Sequence, residues 1–89
     1  MASKLTIMAA INAKVTRHAL WRIGLTHDLA ERKSHWRDAE GQDVSSWTTW
    51  TADSLSEAQE VESHYINKGM KGGTGDNLSA HKTVYVYIY

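Results

Sequence analysis

Three side chains of this 89-residue chain have the types that phosphodiester chemistry needs: Arg32, His35 and Glu62. Splitting a phosphodiester takes an oriented water, a base for its proton, and positive charge on the transition-state oxygens. A Mg²⁺ held by one or two carboxylates supplies a Lewis acid. An arginine gives phosphate a planar, two-pronged contact, and a histidine or tyrosine positions or deprotonates the water. On a helical wheel Glu62 falls between Ala58 and Tyr65/Ile66, at the border of the apolar face, where a glutamate serving only solubility is less expected. Glu62 is therefore the candidate metal ligand, Arg32 the phosphate contact and His35 the proton carrier. Plainer readings stand beside these: Glu62 in a structural ion pair with Arg32 or Arg22, Arg32 as an exposed helix residue, His35 as a helix-end histidine. The five histidines show no paired metal-ligand spacing, and no Ser-His-Asp signature is visible.

The elements that must position these groups follow from periodicity. Residues 5–16 are ambiguous: Ile7, Ile11 and Val15 have helical spacing, while Leu5-Thr6-Ile7-Met8 also suits a short strand. Residues 19–25 alternate as a strand, with Trp21, Ile23 and Leu25 on one face and Leu20 and Arg22 on the other. Thr26 is read as the N-cap of a helix running to about Trp36, with Asp28 in its first turn, burying Leu29 and Trp36. Residues 38–45 are a polar loop. Ser46–Ala52 is a strand with Trp47, Thr49 and Thr51 on one face and Thr48, Trp50 and Ala52 on the other. Ser54 and Glu57 form a capping-box pattern opening a helix that turns Leu55, Ala58, Val61, Tyr65 and Ile66 inward and stops at Lys68-Gly69. Residues 69–77, with four of the six glycines, are expected to be a flexible loop. Thr83–Tyr89 is a strand with Val84, Val86 and Ile88 facing one way and Tyr85, Tyr87 and Tyr89 the other. Its apolar, uncharged, proline-free composition requires it to be central, covered, or paired with a second copy. The order predicts a single α+β domain over residues 1–89: a small three- or four-stranded sheet with two or three packed helices.

The stretch from Arg22 to His35, RIGLTHDLAERKSH, resembles the second strand and first helix of the GIY-YIG nuclease family, and Arg32 follows Gly24 by eight residues as the family arginine does. The stretch Ser54–Lys68 resembles the family's late helix, which puts Glu62 at its metal-ligand position. The resemblance implies a GIY-YIG-like fold, nucleic acid (DNA or RNA) as partner, and, if catalysis is retained, a Mg²⁺-dependent endonuclease. The chain departs from the pattern twice: Arg22 stands where the family has a tyrosine before Ile-Gly, and no Gly-Ile-Tyr strand precedes it. Tyr85 or Tyr87 would fill the missing first-strand site if the C-terminal strand pairs beside residues 20–25, and Tyr85 is taken as the catalytic tyrosine on that basis. The resemblance also implies that the helices bearing Arg32 and Glu62 flank the same side of the sheet and share a concave surface. With both motif tyrosines displaced, a binding domain is favoured over an enzyme.

Ten basic and ten acidic side chains cancel, which counts against strong nonspecific nucleic-acid binding. The charges are segregated, however. Residues 14–37 hold six cations against Asp28 and Glu31, and residues 38–62 hold only acids. Arg22, Arg32 and Lys33 are the expected phosphate contacts, with Lys71 in the glycine-rich loop as a further backbone contact. Lys68-Gly-Met-Lys-Gly-Gly-Thr-Gly runs from helix to strand, the reverse of a P-loop, which excludes that mode of triphosphate binding. The chain has no cysteine, and its apolar residues near the start are interrupted by Thr6, Asn12 and Lys14, so the expectation is a cytoplasmic protein. The alternative function is a small protein-interaction or regulatory module, a homodimer joined through the C-terminal strand, to which four tryptophans and four tyrosines lend anchors.

Overall fold

The computed structural model describes residues 1–74 and 77–89. Three helices pack on a four-stranded mixed sheet: α1 (Lys4–Lys14), β1 (Arg22–Thr26), α2 (Leu29–Ser34), β2 (Thr48–Thr51), α3 (Leu55–Asn67), β3 (Lys71–Gly72) and β4 (Tyr85–Ile88). The spatial order is β2-β4-β1-β3. The C-terminal strand is central, antiparallel to both β1 and β2, with Gly24 opposite Tyr87 and Trp50 opposite Val86. Both of its backbone edges are thus used within the chain, so it has no free edge to offer a second copy. β3 lies parallel to β1 at the other side.

Strand alternation splits the sheet into two unlike faces. Ile23, Leu25, Val86 and Ile88 meet Ile7 and Ile11 of α1 and Ala58, Val61 and Tyr65 of α3 in the main core. Tyr87 and Tyr89 point the other way and meet Val44, Leu29, Trp36 and Trp47. The ambiguous N-terminal stretch is helical because Ser3 accepts from the Thr6 amide as N-cap and Ile7 and Ile11 are fully buried. Ser54 caps α3 by accepting from the Glu57 amide. Glu57 does not close the capping box; its carboxylate accepts instead from the backbone N–H of Lys4, joining the starts of α1 and α3. Gly69 ends α3 with φ +116°, which an L-residue adopts only with strain.

Several expectations need correction. Residues 18–20 form a 3₁₀ turn, so β1 starts at Arg22 and ends at Thr26, which is buried in the strand rather than capping α2. Asp28 is the N-cap, accepting from the Glu31 amide. After one and a half turns α2 widens into a π turn, His35–Ala39. Ile66 is 41% exposed, since the inward face of α3 is already filled by Tyr65. The expected loop 69–77 contains β3, and the Gly73 amide extends the pairing by donating to the Ile23 carbonyl; residues 75 and 76 of that loop lie outside those described. No helix among the described residues is long and apolar enough to cross a membrane.

A central β4 makes the C-terminus indispensable. Val84, Val86 and Ile88 are buried, each contributing on the order of 1.5–3 kcal/mol. Deleting residues 83–89 is expected to abolish the cooperative thermal transition seen by circular dichroism; a truncated chain melting like the full one would contradict the topology.

Candidate nucleic-acid interface

Among the described residues Arg32 is the most buried charged side chain, 6% exposed, and it points inward. Its Nη2 donates to the Gly73 carbonyl (2.9 Å), and its guanidinium lies 5.5 Å from the centre of the Trp36 ring. The same carbonyl accepts from the Tyr87 phenol (2.7 Å), which in turn accepts from Trp36 Nε1 (2.9 Å). One residue on, the Thr74 hydroxyl accepts from the Leu25 amide (2.8 Å) and donates to the Glu62 carboxylate. Arg32, Tyr87 and Glu62 are therefore gathered around two consecutive residues at the edge of the sheet.

The gathering differs from the one the resemblance implies. α2 packs with Tyr87 and Tyr89 on one face, whereas α3 packs with Ile23 and Leu25 on the other. The helices bearing Arg32 and Glu62 are on opposite faces, and residues 73–74 run between their charged groups. The structure brings Tyr87, not Tyr85, beside Gly24 and Arg32; Tyr85 is half-buried two residues along, opposite Thr26 and Thr51. His35 sits edge-on to Trp36 and 3.6 Å from the Glu40 carboxylate, and among the described residues it makes no hydrogen bond to Arg32, Tyr87 or Glu62. Glu62 is paired with Thr74 rather than with either arginine. No group of three or more His, Cys, Asp or Glu that could hold a metal occurs among the described residues. A single carboxylate holds Mg²⁺ only together with water and substrate phosphates, and here Arg32 and Tyr87, the partners such a phosphate would need, are bonded to backbone. The residues as placed do not fit a metal-and-phosphate cradle, and no catalytic step is derived through one.

Arg22 and Lys71 come together elsewhere. They are register partners on β1 and β3 and line one concavity of about 390 Å³ with Leu20, Trp21, Tyr89 and the loop residues Gln42, Asp43, Ser45 and Ser46. Arg22 stacks on Trp36 (4.4 Å) and donates to the Gly72 carbonyl (2.6 Å), while Lys71 is exposed. Asp43 accepts from the Ser45 amide (2.9 Å), which holds its carboxyl below the ordinary carboxylate range. Lys33 is half-buried on α2. Sequence reasoning selected Arg22 and Lys71 but missed Tyr89, whose phenol is buried close to the Arg22 side chain; its only sequence signal was the tyrosine alternation. Compared with known protein families, curated proteins and solved structures, the chain matches none.

Two predictions follow from this packing. A Cβ on Gly24 would collide with the hydroxyl oxygen and Cζ of Tyr87. Because the phenol oxygen is fixed by donating to Gly73 and accepting from Trp36, Gly24→Ala should destabilise the fold by about 1–3 kcal/mol in urea titration; an unchanged midpoint would show that the ring moves freely. Burial also raises the phenol pKa values of Tyr65, Tyr87 and Tyr89, that of Tyr89 to about 12. A raised folded pKa means the native state binds more protons than the unfolded chain, so stability is full below the ordinary tyrosine value of 10.0 and falls as pH rises towards 12. Tyrosinate absorbance from Tyr65, Tyr87 and Tyr89 should appear together with loss of structure; their ionisation at the ordinary value with the fold intact would refute this.

Proposed function

We propose that the protein is a nucleic-acid-binding domain that contacts phosphates through Arg22 and Lys71, and that it binds rather than hydrolyses. The observation that carries the proposal is the juxtaposition of these two cations as neighbours on adjacent strands at the rim of one concavity. Like charges side by side in a sheet repel, and an anion between them removes the cost. A GIY-YIG-like core in permuted order is supported by the pairing of β4 beside β1, with Tyr87 next to Gly24 and Arg32, and by Glu62 one residue further along the same edge. Hydrolysis would need Arg32, a tyrosine and a Glu62-bound Mg²⁺ on one open surface. Arg32 is instead buried, and α2 and α3 lie on opposite faces, which favours the binding reading.

The test is a titration of labelled DNA and RNA at two salt concentrations. Affinity should be no better than roughly micromolar near physiological salt and should fall steeply as salt rises, because each phosphate contact releases counterions. Lys71→Ala, at an exposed position, should weaken binding to all sequences alike and lower the salt slope by about one. No binding at low salt, with a stable salt-insensitive dimer, would favour the interaction-module alternative. Mg²⁺-stimulated cleavage that Glu62→Ala abolishes would overturn the binding-only reading.

A further inference from the structure

The fold gathers more cations at one end than the pair on β1 and β3. α1 and α3 run parallel. At their starts the Lys4 amide donates to the Glu57 carboxylate, and further along the Tyr65 hydroxyl reaches the Met8 carbonyl (2.9 Å) and the Asn12 side chain (2.6 Å). Their last turns therefore end together, with Lys14 on one and Lys68 on the other. The 3₁₀ turn His18–Leu20, with Arg17 before it, packs against that end, where Gly69 lies beside His18. The chain then enters β1: the Lys71 amide donates to the Trp21 carbonyl (3.1 Å), and the Lys14 ammonium lies 6.0 Å from the centre of the Trp21 ring. Lys14, Arg17, Lys68 and Lys71 are exposed, and Arg22 is half-buried. None of the five forms an ion pair among the described residues; the ion-paired Lys4 and Arg37 lie elsewhere. Helix dipoles favour Lys14 and Lys68 at the ends of their helices, but Arg17 and Lys71 lie outside the helices and gain nothing from them.

We infer that this end of the molecule is one continuous surface for a nucleic-acid backbone, on which Lys14, Arg17 and Lys68 extend the phosphate contact made by Arg22 and Lys71. The inference rests on the nucleic-acid reading above and names its substrate class: a polynucleotide that lays several phosphates across the end, rather than a single nucleotide in the cavity. Gathered like charges repel one another, and a polyanion relieves all of them at once. The zero formal charge of the chain conceals the surface, because Asp53, Glu57 and Glu60 sit at the other, starting end of α3. Backbone contacts carry no base information, so the surface reads charge and not sequence. Each neutralised phosphate releases condensed counterions, so the number of cations engaged is recorded in the salt dependence.

The experiment measures binding of a labelled mixed-sequence DNA duplex across a salt series. Five contacts should weaken binding roughly 500-fold between about 50 and about 200 mM salt, whereas two contacts would weaken it only roughly tenfold. Arg17→Ala and Lys68→Ala, both at exposed positions, should each lower the salt slope by about one and leave the melting temperature unchanged. Lys82→Ala is the control. It removes the same charge from an exposed residue that shares a concavity with Ser54 and Leu55 at the start of α3, and it should leave the slope as it is. A slope for two contacts that neither Arg17→Ala nor Lys68→Ala alters, or an equal loss from Lys82→Ala, would overturn the inference while leaving the contact through Arg22 and Lys71 in place. Absence of binding at low salt would overturn both, as would saturable binding to vesicles containing phosphatidylserine with the duplex left unbound.

Discussion

The Gly73 carbonyl is the point on which the two halves of the molecule depend. It accepts from Arg32 on α2 and from Tyr87 on β4, so both of its lone pairs are taken by side chains from elements far apart in sequence. The Gly73 amide donates to Ile23, and the next residue ties the Leu25 amide to Glu62 on α3. Two residues thus join both faces of the sheet. The glycine is needed there: a Cβ would meet the Tyr87 hydroxyl at 3.0 Å and the Arg22 side chain at 3.2 Å. Gly24 performs the matching service from the strand side. Removing the Tyr87 hydroxyl would leave Trp36 Nε1 without its partner, which costs more than the bond itself is worth.

This constraint decides which residues remain available for ligands. Arg32, Tyr87 and Glu62 have the chemistry of a hydrolytic site, but each is engaged in holding the 73–74 segment. Burial of the Tyr87 phenol pushes its pKa up, while the hydrogen-bonding Trp36 and Arg32 pull the other way. The neutral phenol is the form that donates to Gly73, so the environment that keeps it protonated also disfavours its use as a base. Arg22 borders this cluster, stacked on Trp36 and bonded to the Gly72 carbonyl, but it is only half-buried, and its neighbour Lys71 is exposed.

The parts of this architecture that were legible in the sequence are those set by local rules. The alternation of Val84-Tyr85-Val86-Tyr87-Ile88-Tyr89 assigns the two faces of β4 correctly, because period two needs no knowledge of partners. Ser54 capping α3 and Gly69 ending it are equally local. What was not legible depends on long-range placement. Which tyrosine stands beside Gly24 is fixed by the register of β4 on β1. The inward turn of Arg32 depends on a carbonyl 41 residues away. Thr26 looked like a cap because it precedes Asp28, but pairing with Tyr85 keeps it in the strand, and Asp28 caps instead. The two-residue β3 lay hidden in a glycine-rich stretch that has almost no strand propensity; its pairing comes from β1 alongside it.

The unequal covering of the two faces accounts for where the cavity lies. The aliphatic face is covered by α1 and α3, eleven and thirteen residues long, whose buried side chains mesh with Ile23, Leu25, Val86 and Ile88. The aromatic face has only the six-residue α2, its π turn, and the loop that brings in Val44 and Trp47. The π turn adds a residue to the helical repeat, and Trp36 lies within it, reaching back over Tyr87 and Tyr89 while Arg22 stacks on its ring. Beside that cover lies the concavity lined by Trp21, Arg22, Lys71, Tyr89 and the loop residues Gln42, Asp43, Ser45 and Ser46. A longer regular helix would have filled the space with side chains. The short, widened one leaves an opening lined by aromatic surface and two cations, at the one end of the sheet where the backbone edge is guarded by no more than the two residues of β3.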